Sequence, residues 1–188
     1  MEKSYLFLAE GFEEIEALAT VDILRRAGMD VATVAVGPSL SVSGAHGVSV
    51  NADLAFDQAD FSDAAWLICP GGMPGAANLV QFEPLCALLQ AHAAAGGRLA
   101  AICASPAVVF APLGLLNGKR ATCYPGFEQA CIEAGADMQA QPVVVDGDTI
   151  TGQGPAAAIP FALAIVRHTL GADAAQQVAS GMLICGDI

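Results

Sequence analysis

The sequence predicts an α/β fold: a doubly wound parallel sheet sandwiched by helices, with a small hairpin arm. Three observations lead there. Short apolar runs alternate with longer segments of helical character along the whole chain. The runs are apolar at nearly every position, as strands covered on both faces are. Glycine and proline punctuate the junctions. The 188 residues, 55% of them hydrophobic, suit one domain spanning residues 1–188 with a sizeable core. No linker, low-complexity tract or internal repeat divides them.

Tyr5–Ala9 reads as a first buried strand. A helix from about Glu13 to Ala27 follows, with acidic residues in its first turn, Arg25 and Arg26 in its last, and Gly28 as its stop. Val31 to Val36 is a second strand, rich in β-branched residues. Gly44 to Val50 reads as a hairpin arm. Trp66 to Cys69 is a core strand closed by Pro70-Gly71-Gly72, and a helix runs from Pro84 to Ala95 before Gly96-Gly97. Leu99 to Ile102 is the next strand, Cys103 its turn, and Pro106 to Ala111 the start of a helix. A short strand around Ala121–Cys123 and a helix around Phe127–Ala134 come next. Val143–Val145 and Thr149–Thr151 flank the turn Asp146-Gly147-Asp148. A long helix spans about Pro155 to Leu170, and a last one begins near Asp173.

Composition narrows the function. A net charge of −12, from 19 acidic and 7 basic residues, argues against a nucleic-acid partner, which needs a basic footprint. No apolar run approaches the roughly 20 residues that span a bilayer, so no membrane partner is expected. Met1-Glu2-Lys3-Ser4 lacks the layout of a signal peptide, so a cytoplasmic protein is the expectation. The six cysteines, at 69, 86, 103, 123, 131 and 185, include no Cys-x-x-Cys pair, and the three histidines are scattered. Neither a disulfide framework nor a zinc site follows, and no metal or organic cofactor is expected. Most of the thiols read as small core fillers.

In doubly wound sheets, ligands bind beyond the C-terminal ends of the strands. The segments that should meet there are Glu10–Glu16, Pro70–Ala77, Cys103–Pro106, Tyr124–Gly126 and Gly152–Pro155. Cys103, at a strand-to-helix turn, is placed like the nucleophile of an elbow. A helix N-terminus there would favour its thiolate; a buried structural cysteine is the alternative reading. Gly71 and Gly72 would let backbone N–H groups approach a ligand. Of the acidic cluster Glu10, Glu13, Glu14 and Glu16, most should be solvated. Glu16 should sit half-buried beside an apolar stripe of Ile15, Leu18 and Ala19, with a raised pKa suited to general acid–base work. Pointed at Cys103, it would share one proton with the thiol. The histidines are expected to have surface roles, with His46 placed to reach a neighbouring subunit or the pocket.

Taken together, these segments resemble the ThiJ/PfpI superfamily, most closely its branch containing the parkinsonism-associated deglycase. The matching pieces are residues 9–16 (AEGFEEIE), 25–28 (RRAG), 70–76 (PGGMPGA), 100–106 (AAICASP), Gly154-Pro155 and 161–166 (FALAIV). The resemblance implies a flavodoxin-like sandwich, usually a homodimer, with an oxidation-prone elbow cysteine. It matches Cys103 to the nucleophile, Glu16 to the protonated carboxyl beside it, and Gly72 and Ala104 to backbone donors of an oxyanion hole. Gly71, Ser105, Tyr124, His46 and Gln153 would line the pocket. Three positions depart from the pattern: Tyr124 stands where many relatives have a histidine, and His46 and Gln153 where relatives have arginines. A Cys–His pairing of peptidase type is thereby weakened, as is anion binding near the thiol. The expected activity is that of a glyoxalase or deglycase acting on 2-oxoaldehydes such as methylglyoxal, or on their adducts. A redox-responsive stress protein or chaperone is the second expectation, and a cysteine peptidase ranks third.

Overall fold

A computed structural model describes residues 3–184; Met1, Glu2 and Cys185, mentioned above, lie outside the described residues. In chain order the strands are β1 (Lys3–Leu8), β2 (Val31–Ala35), β3 (Ser41–Ser43), β4 (Ser49–Asn51), β5 (Leu54–Ala55), β6 (Ala64–Cys69), β7 (Arg98–Ile102), β8 (Arg120–Ala121), β9 (Asp137–Met138), β10 (Val143–Asp146) and β11 (Thr149–Gly152). The helices are α1 (Glu14–Arg26), α2 (Gly75–Gln81), α3 (Glu83–Ala94), α4 (Glu128–Glu133), α5 (Ala158–Leu170) and α6 (Ala172–Gly181).

Seven strands form the central sheet in the order β10-β11-β7-β6-β1-β2-β5. All neighbours are parallel except β10 and β11, which form an antiparallel hairpin. The chain winds from β1 outward to β2 and β5, then returns to place β6 on the other side of β1. That reversal makes the β1/β6 boundary the switch point, where a crevice opens at the C-terminal edge. Helix α5 packs against both α1 and α6, while α2 packs against α3 and against a π-helical turn at Pro106–Phe110. This is the flavodoxin-like α/β arrangement. β1 and β6 are buried beyond their first residue because both faces of the sheet are covered. Trp66, Phe7, Phe12, Phe110 and Phe161 are the largest fully buried side chains. Among the described residues, no helix is long and apolar enough to cross a membrane.

Several local expectations are corrected. The predicted helix start at Pro106–Ala111 is the five-residue π-helical turn. The strand expected at Ala121–Cys123 is the two-residue β8, which pairs in parallel with β9 outside the central sheet. Gly44 to Val50 is mostly the turn of the arm, whose strands β3 and β4 flank it. Helix α2 has no counterpart among the expected elements; its start overlaps the glycine-rich segment, and Gly75 is a weak helix former.

Candidate active site

Four adjacent strands end at the same edge of the sheet, and each delivers one part of the site. After β1 the chain turns into α1, whose first turn carries Glu13, Glu14 and Glu16. After β6 comes Gly71-Gly72, after β7 comes Cys103, and after β11 comes Gln153-Gly154-Pro155.

Cys103 occupies a left-handed backbone conformation, φ 64°, rare for a residue with a Cβ and held only by its surroundings. Its N–H donates to the Gly152 carbonyl at 2.9 Å and its carbonyl accepts from Tyr124 N–H at 2.8 Å. The elbow is thus tied to strand β11 on one side and to the 122–124 segment on the other. Ser105, next but one, donates its hydroxyl to the Pro70 carbonyl at 2.5 Å. That bond joins the elbow to the glycine loop and leaves Ser105 buried in a structural role.

Glu16 is fully buried. It is on the inner face of α1 with Ala17, Thr20, Val21, Ile23 and Leu24. The stripe expected beside it is not the inner one: Ile15 is 58% and Leu18 38% exposed. The helix is rotated so that a carboxyl enters the core and two large apolar side chains face outward. Glu16 Oε2 accepts the Gly71 N–H at 2.8 Å, while Oε1 is buried with no N–H or O–H partner among the described residues. A Cβ on Gly71 would lie 2.5 Å from Cys103 Cβ and 2.8 Å from Glu16 Oε2. Only glycine leaves the thiol and the carboxyl in contact across that position. At Gly72, φ is 89° and a Cβ would strike the backbone of residues 11–13, so glycine is required there too.

Burial raises the Glu16 pKa from 4.5 to about 7, against the lowering influence of the Gly71 N–H and the Cys103 thiol. The Cys103 thiol is pushed from 9.0 up to about 12, first by burial and then by the Glu16 carboxylate. Backbone N–H groups of Gly72 and Ala104 face the sulfur and pull the other way. This corrects the expectation of a thiol poised as thiolate by a helix N-terminus. Desolvation and the neighbouring carboxylate outweigh the two N–H groups that face the sulfur. Burial raises both groups, so over a wide pH span the pair shares one proton.

Glu13 and Glu14 are buried rather than solvated. Glu13 caps α1, accepting the Glu16 N–H at 2.7 Å. Glu14 Oε1 accepts the His46 N–H at 2.7 Å, and its Oε2 lies 2.8 Å from His46 Nδ1. These contacts keep the Glu14 carboxyl below its ordinary range despite burial, and they raise the His46 pKa. His46 therefore clasps the arm to α1, with its side chain 72% exposed. Donor atoms of Glu13, Glu14 and His46 lie within 4.8 Å of one another, close enough for a metal ion. Both carboxylates are already engaged in the cap and the clasp.

A hollow of about 180 Å³ over the thiol is lined by Gly72, Met73, Cys103, Ala104, Tyr124 and Phe127. Gly71, Gly72, Ala104 and Tyr124 thus gather around Cys103 and Glu16, whereas His46 is held at Glu14 and does not line the hollow. Gln153 lines a separate hollow beyond Tyr124. Sequence reasoning missed Met73 and Phe127. Met73 lies inside the glycine-rich segment that was singled out, so its position was available; Phe127 was assigned to a helix start.

The DJ-1/PfpI family model matches residues 2–168. The chain is 38% identical over 182 residues to Protein DJ-1 homolog B of Arabidopsis thaliana, covering 94% of this chain but 40% of that one. It therefore spans less than half the length of this plant relative. It is 34% identical to a glutathione-independent glyoxalase of Caenorhabditis elegans, covering 90% of each chain. To a deglycase of Pyrococcus abyssi it is 31% identical, covering 78% of this chain and 87% of that one. The crystal structure of a DJ-1 superfamily protein from Salmonella typhimurium superposes with a TM-score of 0.93 at 34% identity, covering 99% of this chain and all of the other. With the elbow cysteine, the buried glutamate and the glycine loop in place, the chain belongs to the DJ-1/PfpI family.

Proposed function

We propose that the protein is a cysteine-dependent glyoxalase or deglycase that acts on 2-oxoaldehydes such as methylglyoxal, or on their adducts. The observation that carries this reading is Glu16, a fully buried carboxyl with a pKa raised to about 7, set against the Cys103 thiol. Relatives named as a glyoxalase and a deglycase support the same class.

The resting thiol attacks the aldehyde carbon as its proton passes to the Glu16 carboxylate. The N–H groups of Gly72 and Ala104 hold the developing oxyanion, and Glu16 returns the proton to it, giving a hemithioacetal and restoring the carboxylate. Glu16 then moves the proton from the former aldehyde carbon to its neighbour through an enediol, leaving a thioester of the 2-hydroxy acid. Water cleaves the thioester, releasing the acid and restoring the thiol. The route uses no imidazole, which suits Tyr124 in the position where relatives carry histidine. The test is conversion of methylglyoxal to lactate by the wild-type protein, Cys103→Ser and Glu16→Gln. Turnover by Cys103→Ser overturns the mechanism.

A homodimer belongs to the same proposal. Ile15 and Leu18 on α1 and Val48 in the arm are exposed apolar side chains on neighbouring elements. Sedimentation of wild type as a dimer and of Ile15→Glu as a monomer is the expected outcome.

A further inference from the structure

Beyond the hollow over Cys103 lies a second one, of about 300 Å³, lined chiefly by Tyr124, Pro125, Pro142, Gln153, Gly154 and Pro155. The two share Tyr124. Its ring stands edge-on to Phe127, with centroids 6.3 Å apart, on the side of the thiol. On the other side it covers Gly154, where a Cβ would lie 3.2 Å from its Cδ2. The hollows meet at the Tyr124 ring, so a substrate anchored on Cys103 and long enough to pass the ring would extend into the second.

Size and charge say what would fit. The 180 Å³ over the thiol is too small for the two-carbon reacting unit and a benzene ring together. A dry apolar cavity of about 150 Å³ suffices for a benzene ring, and the second hollow is larger. Neither hollow is lined by a lysine, arginine, aspartate or glutamate. A charged substituent would meet no opposite charge there, whereas an aryl group would bury its faces against prolines and the Tyr124 ring.

We propose that the Tyr124–Pro155 hollow is the subsite for the substituent of the 2-oxoaldehyde, and that it makes the protein selective for uncharged aryl-bearing substrates over methylglyoxal. The inference rests on the glyoxalase reading above. Ala156, an exposed residue at the rim of the second hollow and absent from the first, is the place to test it.

The experiment measures kcat/KM for phenylglyoxal and methylglyoxal with wild type and Ala156→Trp, with Cys103→Ser as the blank. Wild type should prefer phenylglyoxal by about tenfold or more, the scale of a filled apolar subsite. Ala156→Trp should lose about tenfold on phenylglyoxal and keep its methylglyoxal rate. The ratio between substrates within one preparation does not depend on how much of it folds. Equal kcat/KM for the two substrates in wild type, or an equal loss on both in the variant, overturns the subsite. A wild-type protein that converts neither substrate overturns the glyoxalase reading itself, and the subsite with it.

Discussion

Replacing Glu16 with glutamine should make the protein more stable at alkaline pH while removing most of its activity. In the folded chain the carboxyl titrates at about 7, against 4.5 for an ordinary glutamate. Within that window the folded state binds a proton that the unfolded state has released. The sign follows: this contribution to stability is fully present below about 4.5 and is lost as pH rises through about 7. A shift of about 2.5 units at 1.36 kcal/mol each amounts to about 3 kcal/mol. Glutamine keeps an oxygen for the Gly71 N–H but has no charge to bury, so it lacks the slope. Urea unfolding of both proteins at about pH 5, 6 and 8 reads the difference from midpoints and m-values. The other carboxylates are common to both and cancel. Cys103, raised to about 12, stays protonated throughout. The variant's stability relative to wild type should climb by about 2–3 kcal/mol from pH 5 to pH 8, with most of the rise below about 7. Parallel curves would refute a buried, proton-sharing Glu16.

The remaining predictions concern the parts around that carboxyl. In the methylglyoxal assay Glu16→Gln should fall about 100-fold or more, the usual scale of a lost general base. Its residual rate should no longer vary with pH near 7. Gly71→Ala must place a methyl against Cys103 and Glu16. It should cost about 1–3 kcal/mol in chemical denaturation, as overpacking does, and cut kcat more than it raises KM. Glu14→Ala removes the acceptor for the His46 and Val48 N–H groups. It should lower stability by about 1–3 kcal/mol and speed amide exchange at residues 44–48, whereas a protected arm would contradict the clasp.

Much of the sheet was legible in the chain, because Tyr5-Leu6-Phe7-Leu8 and Leu67-Ile68-Cys69 are apolar at each position and so must be covered on both faces. Cys103 was legible as an elbow because an apolar strand ends on it and Pro106 opens the next turn. Two features were harder to read. The phase of α1 could not be seen, since Ile15 and Glu16 are adjacent and hydropathy alone places the isoleucine inside. Its N-cap at Glu13 and the Gly71 N–H waiting for Oε2 turn the helix the other way. His46 and Gln153 are expected in the pocket because the family resemblance sets them where relatives carry arginines. Their side chains go where Glu14 and the Pro142–Pro155 wall take them.

By itself, the sequence determined the order of strands and helices, the edge at which the loops gather and the residue types available there. Hydropathy and turn chemistry are local and are written in neighbouring residues. The tertiary structure alone decided that Glu16 is buried against the thiol, that Cys103 is raised rather than depressed in pKa, and that Tyr124 divides two hollows. Each of these depends on the distance between groups tens of residues apart, and a buried charge or a shared wall exists only once those segments meet.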